Sequence, residues 1–291
     1  MLDTTLVETS TSHLLKDGVV ILEDSLFDEA KANIIIEQLR PYFDKLNFGD
    51  VTGSSLISSC QYVEFPLAVS SELIDCILDE RVIAIASRYL NYEVRLTSSR
   101  VQRRLCGGVM EPHRDYGNSI VVLHYLTDPK PKQGATSFYL GSHTCSSVSR
   151  EAGSEDAVYM RESNELRRYS RTSMAGYKTG SVAIYSSKTI HEIPKFKDPG
   201  RVVIISIFSP LCDARKFYYR HILTSDCLNL ISESQRKVLG LSDTQRTSPE
   251  VKIRPFRLTL DYDPSYRYTF ARRCFWILRF FKFKMRALLK L

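Results

Sequence analysis

The chain has 291 residues, of which 43% are hydrophobic and 25% charged, and its formal net charge at pH 7 is +7. This composition is ordinary for a soluble globular protein, and the length suits one large domain or two small ones. The first residues lack a basic start followed by an apolar run, and no apolar stretch approaches the roughly 18 residues of a membrane span. We therefore expect neither a signal peptide nor a transmembrane helix.

The cysteines indicate a reducing compartment. Their number is odd and none forms a C-x-x-C pair, so they predict free thiols in a cytoplasmic protein rather than a disulfide framework. The seven are Cys60, Cys76, Cys106, Cys145, Cys212, Cys227 and Cys274.

The first third of the chain mixes strand and helix patterns. Residues 18–22 form a short apolar run that predicts a strand. Residues 28–40 have apolar side chains at helical spacing with acids in the first turn, and Pro41 is expected to end this helix. Residues 71–90 predict a second helical region.

From residue 94 onward the pattern changes to short β-rich runs separated by Gly, Pro, Asp and Lys. Several such runs in succession indicate a β-sandwich or a barrel. The runs are residues 94–101, 119–126, 135–140, 181–185 and 202–208. Residues 146–178 are polar and rich in arginine, and they predict a long loop of the kind that is functional or mobile in compact domains.

His113 and Asp115 form the most informative motif. Residues i and i+2 of a strand point to the same face, so this pair offers one imidazole and one carboxylate side by side. A further histidine from a distant strand, His191, completes two imidazoles and one carboxylate. This set is typical of non-haem Fe(II) oxygenases, in which the remaining metal positions stay open for the co-substrate and oxygen.

Each of these residues also has a simpler interpretation when it is taken alone. His113 fits a loop near a turn, Asp115 fits a turn before Gly117, and His191 fits a strand end. The joint pattern with Arg201 favours the metal site. His124 lies within an alternating strand pattern, and we interpret it as a packed or hydrogen-bonded strand residue rather than a ligand.

Three blocks of sequence resemble the phytanoyl-CoA dioxygenase family of Fe(II)/2-oxoglutarate-dependent dioxygenases. Residues 110–115 (MEPHRD) resemble the first iron-binding block, and residues 133–143 (QGATSFYLGSH) resemble the G-x-x-x-x-x-P-G-S-H segment, with Leu140 in place of proline. Residues 180–191 followed by Gly200 and Arg201 are similar to the last block. The helix-like residues 79–90 also match, and the resemblance covers residues 16–208.

The resemblance implies a mainly β fold with flanking helices around a double-stranded β-helix, which is a jelly-roll or cupin-like core. It implies that His113, Asp115 and His191 hold Fe(II), that 2-oxoglutarate chelates the ion, and that O2 is the oxidant. Arg201 would pair with the far carboxylate of 2-oxoglutarate, because a guanidinium binds a carboxylate through two hydrogen bonds. Asp115 argues against the related halogenating enzymes, which lack this carboxylate.

One departure concerns the co-substrate. Related prolyl-hydroxylase-like enzymes carry a tyrosine eight residues before the first iron histidine, and Leu105 stands there in this chain. Among the tyrosines of neighbouring strands, Tyr125 is favoured over Tyr139 and Tyr185 as the substitute contact to 2-oxoglutarate. Core packing with a satisfied hydroxyl is the alternative for all three.

Residues 271–291 form a basic tail with seven Lys or Arg residues and no acid. At helical spacing most of the basic residues fall on one side and the apolar residues cover the rest, as in helices that bind membrane surfaces or partners. The equal alternative is a terminal helix that packs on the core. A cytoplasmic protein with peripheral membrane contact through this tail is therefore one expectation, and no recognisable nucleic-acid module is present.

The sequence thus predicts a dioxygenase domain over residues 1–215, with a mixed N-terminal part over 1–92 and a jelly-roll core over 93–215. An extension over 216–270 and the tail follow. The predicted activity is hydroxylation of a small molecule, lipid or glycan-type substrate, with release of succinate and CO2. The arginines of the loop would suit an anionic substrate, and a solvated loop is the alternative. The alternatives are a prolyl-hydroxylase-like protein modifier and a catalytically silent partner-binding protein. Oligomeric state is not predicted.

Overall fold

The computed structural model describes residues 3–23, 27–44, 55–57, 60–63, 66–105, 108–115, 117–145, 157–159, 166–211, 222–223, 225–241 and 252–253. The basic tail, the predicted domain boundary at residue 215 and most of the segment 146–165 lie outside these ranges. Among the described helices, none has both the length and the apolar character that a bilayer crossing requires.

Six α-helices are described, and most of them flank the sheets. They are α1 (Thr4–Asp17), α2 (Glu29–Asp44), α3 (Ile74–Ile77), α4 (Glu80–Leu90), α5 (Ser225–Leu230) and α6 (Glu233–Val238). The side chain of Asp79 accepts a hydrogen bond from the Arg81 N–H and caps α4, which ends at Asn91 in the left-handed conformation. This cap separates α4 from α3, so the predicted single helical region over 71–90 is two helices with a short 3-10 turn before them.

The prediction that Pro41 ends the helix over residues 28–40 is wrong. Helix α2 continues through Pro41 to Asp44. A proline inside a helix removes one backbone hydrogen bond, but tertiary packing can outweigh that loss. Here the extra turn carries Phe43 into the core, where the side chain is 1% exposed. No helix was predicted over α1, whose end is marked by Gly18 at φ 77°.

Fourteen β-strands are described. They are β1 (Val19–Leu22), β2 (Ser55–Ile57), β3 (Cys60–Val63), β4 (Val94–Arg104), β5 (Gly108–Asp115), β6 (Ile120–Tyr125), β7 (Ser137–Tyr139), β8 (Ala157–Tyr159), β9 (Arg171–Ser173), β10 (Val182–Ser186), β11 (His191–Phe196), β12 (Val202–Pro210), β13 (Ile222–Leu223) and β14 (Lys252–Ile253). The predicted runs of the β-rich region correspond to β4, β6, β7, β10 and β12.

The strands form two antiparallel sheets. The major sheet has the order β1-β10-β6-β12-β4-β3-β2, and the minor sheet has the order β8-β5-β11-β7-β9. Strands β13 and β14 form a separate parallel pair. Along the chain from β4 to β12, the strands alternate between the two sheets, singly or in short groups. The result is a jelly roll that holds its interior between the sheets.

The segment 146–178 is not one long loop. It contributes β8, which pairs with β5, and β9, which pairs with β7, so two short strands extend the edges of the minor sheet. Each has three residues without an apolar alternation, which explains why the sequence pattern did not reveal them.

The major sheet separates two hydrophobic regions because side chains alternate along each strand. Ile184 and Ile204 face the helices and belong to the larger core, while Ala183 and Val203 face the minor sheet. Helices α5 and α6 add Cys227 and other residues to the same larger core. The interior between the sheets is the face on which the candidate site lies.

Candidate metal centre

His113 and His191 lie directly opposite each other on two neighbouring strands of the minor sheet. The register of β5 and β11 pairs the two residues, and their ring centroids are 4.2 Å apart. Asp115 follows His113 by two residues and therefore points to the same face of β5. The three residues that the sequence motif named are thus brought together by strand pairing.

The ligand atoms of these residues have the spacing of a metal site. One atom from each residue lies within 4.8 Å of the others. The Asp115 carboxylate oxygens are 3.8 Å from the His113 Nε2 and 3.7 Å from the His191 Nε2. Two atoms that each bind an ion at roughly 2.1 Å are at most about 4.2 Å apart, so both separations fit one shared ion. Two imidazoles and one carboxylate are compatible with Fe(II).

Backbone carbonyls set the orientation of both histidine rings. The His113 Nδ1 lies 2.8 Å from the Glu111 carbonyl, and the His191 Nδ1 lies 3.0 Å from the Thr189 carbonyl. A carbonyl can only accept, so each Nδ1 carries the hydrogen and donates it. Each Nε2 is then left with its lone pair toward Asp115, which is the tautomer that a metal ligand requires.

Burial keeps His113 neutral. Burial, and after it the neighbouring His191, lower the pKa of His113 to about 4, although Asp115 opposes the change in part. The imidazole is therefore uncharged at neutral pH and its Nε2 is available to a cation without loss of a proton.

Tyr185 adds a hydroxyl to the centre. This oxygen is 3.4 Å from an Asp115 carboxylate oxygen and 3.4 Å from the His191 Nε2. The ring packs against Phe138 with centroids 5.0 Å apart. Burial, and then the charge of Asp115, raise the pKa of Tyr185 well above its usual value, so the phenol stays protonated and acts as a donor.

Arg201 is a buried cation without an acidic partner among the described residues. Its side chain is 2% exposed. It donates to the Gly134 carbonyl, the Thr136 hydroxyl and the Gln102 amide oxygen, all of which are neutral. Its Nε has no hydrogen-bond partner in this part of the chain. A buried charge is costly unless an anion compensates it, so this site suits a carboxylate.

Tyr125, the tyrosine favoured from the sequence, lies beside Arg201 rather than beside His113, Asp115 and His191. Its hydroxyl donates to the Thr136 hydroxyl at 3.0 Å, and its ring centroid is 5.9 Å from the Arg201 guanidinium carbon. Tyr185 contacts the ligand atoms instead, and Tyr139 packs with Leu166 and Ile190 in a separate small cluster.

The Gly-Ser-His segment supports both ligand strands. The Ser142 Oγ accepts the Ile190 N–H at 2.8 Å, immediately before His191. Arg114, between the two ligands of β5, donates to the Ser142 and Cys145 carbonyls. His143 contacts the Leu15 carbonyl at 3.1 Å and so links this turn to the end of α1.

Three residues of the pocket were not identified from the sequence. Gln102 and Thr136 contact Arg201, and Arg104 lies across from it at the end of β4. Their positions depend on how β4, β12 and the segment before β7 come together, which no local motif encodes. His124 is packed as predicted, fully buried on the helix-facing side of β6.

Proteins similar to this chain were found among solved structures. No protein-family model matches the sequence, and the search of curated proteins found no match either. Among solved structures, one that is similar is the epimerase SnoN, which was solved in complex with Fe3+, alpha ketoglutarate and nogalamycin RO. The TM-score is 0.58 and the sequence identity is 16%, and the match covers 72% of this chain and 85% of SnoN.

Two further solved structures are similar over most of their length. HygX from Streptomyces hygroscopicus, with nickel and 2-oxoglutarate bound, has a TM-score of 0.52 and 14% identity over 73% of this chain and 89% of HygX. EctD from S. alaskensis in its apoform has a TM-score of 0.55 and 17% identity over 69% of this chain and 76% of EctD. The predicted double-stranded β-helix fold with flanking helices is thereby confirmed. Of these neighbours, SnoN is described as a non-haem alpha ketoglutarate-dependent epimerase.

Proposed function

We propose that this protein is a non-haem Fe(II)- and 2-oxoglutarate-dependent oxygenase. In this proposal His113, Asp115 and His191 hold the metal, and Arg201 binds the far carboxylate of 2-oxoglutarate. The observation that carries it is the pair of Nδ1–carbonyl hydrogen bonds, which leave both Nε2 atoms facing the Asp115 carboxylate. A coincidental cluster of buried polar residues would not need both rings held in the ligand tautomer.

The residues of the chain would bind and orient the reactants. When bound, Fe(II) with 2-oxoglutarate supplies the activation of O2 that oxidises a substrate, with release of succinate and CO2. Arg201 would hold one end of the co-substrate by its charge. The Tyr185 hydroxyl would donate a hydrogen bond to an acceptor atom of a reactant bound beside Asp115 and His191. The buried apolar residues of the jelly-roll interior exclude water around these groups.

We propose hydroxylation of a small molecule as the reaction, in line with the phytanoyl-CoA dioxygenase-like sequence blocks and with Asp115 in the ligand set. The names of two neighbours support a small-molecule substrate, because SnoN was solved with nogalamycin RO and HygX with hygromycin B. As a further part of this proposal, the substrate is anionic and the arginine-rich segment 146–178 contributes to its binding.

Replacement of the metal ligands tests the proposal. We expect H113A and H191A to lose Fe(II) binding by more than about 100-fold, since even residues behind the ligands are worth about 10–100-fold in metal affinity. Fe(II) content after anaerobic loading and succinate release from 2-oxoglutarate are the two measurements. H13A is the matched control, because His13 is exposed on α1 and takes part in none of the pocket contacts described above. Succinate release at the wild-type rate by either ligand variant would contradict the assignment.

A further inference from the structure

Arg104 and Arg201 lie opposite each other on neighbouring strands, and both are buried. Arg103 pairs with Val202 in the register of β4 and β12, and the Arg104 N–H then donates to the Arg201 carbonyl at 2.9 Å. The residues are 3% and 2% exposed. Side chains at directly opposed positions share a face of the sheet, so two guanidinium groups enter the jelly-roll interior at the same level.

Hydrogen bonding leaves several of the donors of these two residues unused. The Nε and Nη2 atoms of Arg104 and the Nε atom of Arg201 are buried and have no hydrogen-bond partner within the described chain. Arg104 is not in an ion pair with any described acid, and neither is Arg201. The guanidinium of Arg104 instead lies over the ring of Phe196, 5.1 Å from its centroid.

Two like charges that face each other in a sheet destabilise it, and burial adds the cost of removing them from water. The ring of Phe196 offsets part of that cost for Arg104 by a cation–π contact. Burial lowers the pKa of Arg201, and the charge of Arg104 acts in the same direction. An anion between them would remove this repulsion and satisfy the unused donors.

We propose that Arg104 is a second cation of the co-substrate pocket and that it holds the distal carboxylate of 2-oxoglutarate together with Arg201. This inference rests on the proposed function. A carboxylate has two oxygens with about four lone-pair sites, which suffice for the three unpaired nitrogens. The Nε–Nη2 edge of Arg104 also has the fork geometry that binds a carboxylate through two parallel hydrogen bonds.

The surrounding residues favour the co-substrate as the source of this carboxylate. Gln102 links the pair to β3, because its amide oxygen accepts from Arg201 and its amide nitrogen donates to the Tyr62 hydroxyl at 2.6 Å. On the other side Arg201 contacts Tyr125, which belongs to the same buried cluster between the sheets as Tyr185. Tyr185 in turn contacts two metal-ligand atoms, so one continuous face joins the arginines to the metal centre.

The test compares two keto acids that differ only at the distal end. 2-Oxovalerate has the same chain length as 2-oxoglutarate and the same metal-chelating end, but it lacks the distal carboxylate. Binding of each to the Ni(II)-loaded protein would be measured by calorimetry, so that turnover is not needed. We expect R104M to weaken 2-oxoglutarate binding by roughly 10- to 100-fold, the range for hydrogen bonds to a charged group, and to leave 2-oxovalerate binding unchanged.

Three variants control this experiment. R103M changes the neighbouring residue on the opposite face of β4, where Arg103 binds Gln61 and lies over Phe43, and it should leave the preference for 2-oxoglutarate unchanged. R201M should reduce the preference at least as much as R104M. R104K should recover part of it, because lysine keeps the charge but lacks the fork.

Thermal unfolding gives a second readout that a merely structural arginine would not produce. R104M removes one of two buried like charges, so the ligand-free variant should be at least as stable as the wild type and gain less stability from 2-oxoglutarate. The proposal is overturned if R104M is less stable than the wild type without ligand. It is also overturned if R104M binds both keto acids more weakly than the wild type does, or if it binds both as tightly as the wild type does. Equal binding of both keto acids by the wild type would refute the co-substrate assignment of the proposed function itself.

Discussion

His124 shows how one side chain can link packing to pH. It lies on the helix-facing side of β6, opposite Val182, and both of its ring nitrogens lack a hydrogen-bond partner among the described residues. Burial lowers its pKa to about 3, and the charge of Arg81 acts in the same direction. The folded protein therefore holds this ring neutral, whereas the unfolded chain binds a proton on it at an ordinary pKa of about 6.5.

The sign of the effect on stability follows from this difference. The stabilising contribution is complete above pH 6.5 and is lost as the pH falls from 6.5 toward 3, because only the unfolded chain takes up the proton. At pH 5 the loss amounts to about 2 kcal/mol. We expect H124L to remove this part of the acid sensitivity, measured by urea unfolding at pH 7.5 and pH 5. H13L is the control, and an equal loss of stability in H124L and the wild type would contradict the prediction.

At the residue scale the sequence singled out the three residues of the candidate metal centre but not the whole pocket. His113 and Asp115 are two residues apart and identify themselves by spacing, and the Gly200–Arg201 pair follows His191 at a short distance. Arg104 and Gln102 carry no such motif, because their importance comes from the pairing of β4 with β12 and β3. Tyr125 and Tyr185 both alternate inward on central strands, and spacing alone could not decide which of them faces the ligand atoms.

At the scale of the elements, the short turn that contains Ser142 supports the strands of the candidate metal centre. The turn with Ser142 lies between β7 and β8 in the chain and binds the residues next to all three proposed ligands. Ser142 is fully buried, and its hydroxyl both accepts from the Ile190 N–H and donates to the Tyr139 carbonyl at 2.6 Å. Without this hydroxyl a buried N–H beside His191 would lose its partner.

We therefore expect S142A to lower the free energy of unfolding by about 1–3 kcal/mol, the cost of an unsatisfied buried group. We also expect weaker Fe(II) binding, because β11 would lose a contact that fixes the backbone before His191. T144A is the matched control, since the Thr144 hydroxyl donates to the Gly141 carbonyl in the same turn but is exposed. Denaturant unfolding and Fe(II) titration measure the two effects, and identical values for S142A and T144A would count against this role.

Prediction of the elements succeeded where apolar residues were concentrated in one run. Strands β6, β10 and β12 are buried on both faces and have continuous apolar runs. Helix α2 extends beyond Pro41 because the burial of Phe43 outweighs a local signal, and Asp79 divides the second helical region by capping α4. Strands β8 and β9 are edge strands of three residues, whose formation depends on the neighbours β5 and β7 rather than on their own sequence.

At the scale of the whole molecule, the distribution of charge sets the tail apart. The tail, residues 271–291, has seven basic residues and no acid. The formal charge of the tail therefore equals the formal net charge of +7 of the entire chain. Residues 1–270 therefore balance to zero. Electrostatic attraction to an anionic surface is screened by salt and depends on locally concentrated charge, so it should reside almost entirely in the tail.

We propose that the tail binds anionic membrane surfaces while the jelly roll carries the catalytic site, and deletion of residues 271–291 tests both parts. The truncated protein should no longer sediment with vesicles that contain anionic lipid, whereas succinate release from 2-oxoglutarate should be unchanged. Replacement of Arg279, Lys282 and Arg286 by glutamine keeps the length and the apolar residues, and should give intermediate, more salt-sensitive sedimentation. If the truncated protein sediments like the full chain but unfolds at a lower temperature, the tail packs on the fold and the membrane proposal fails.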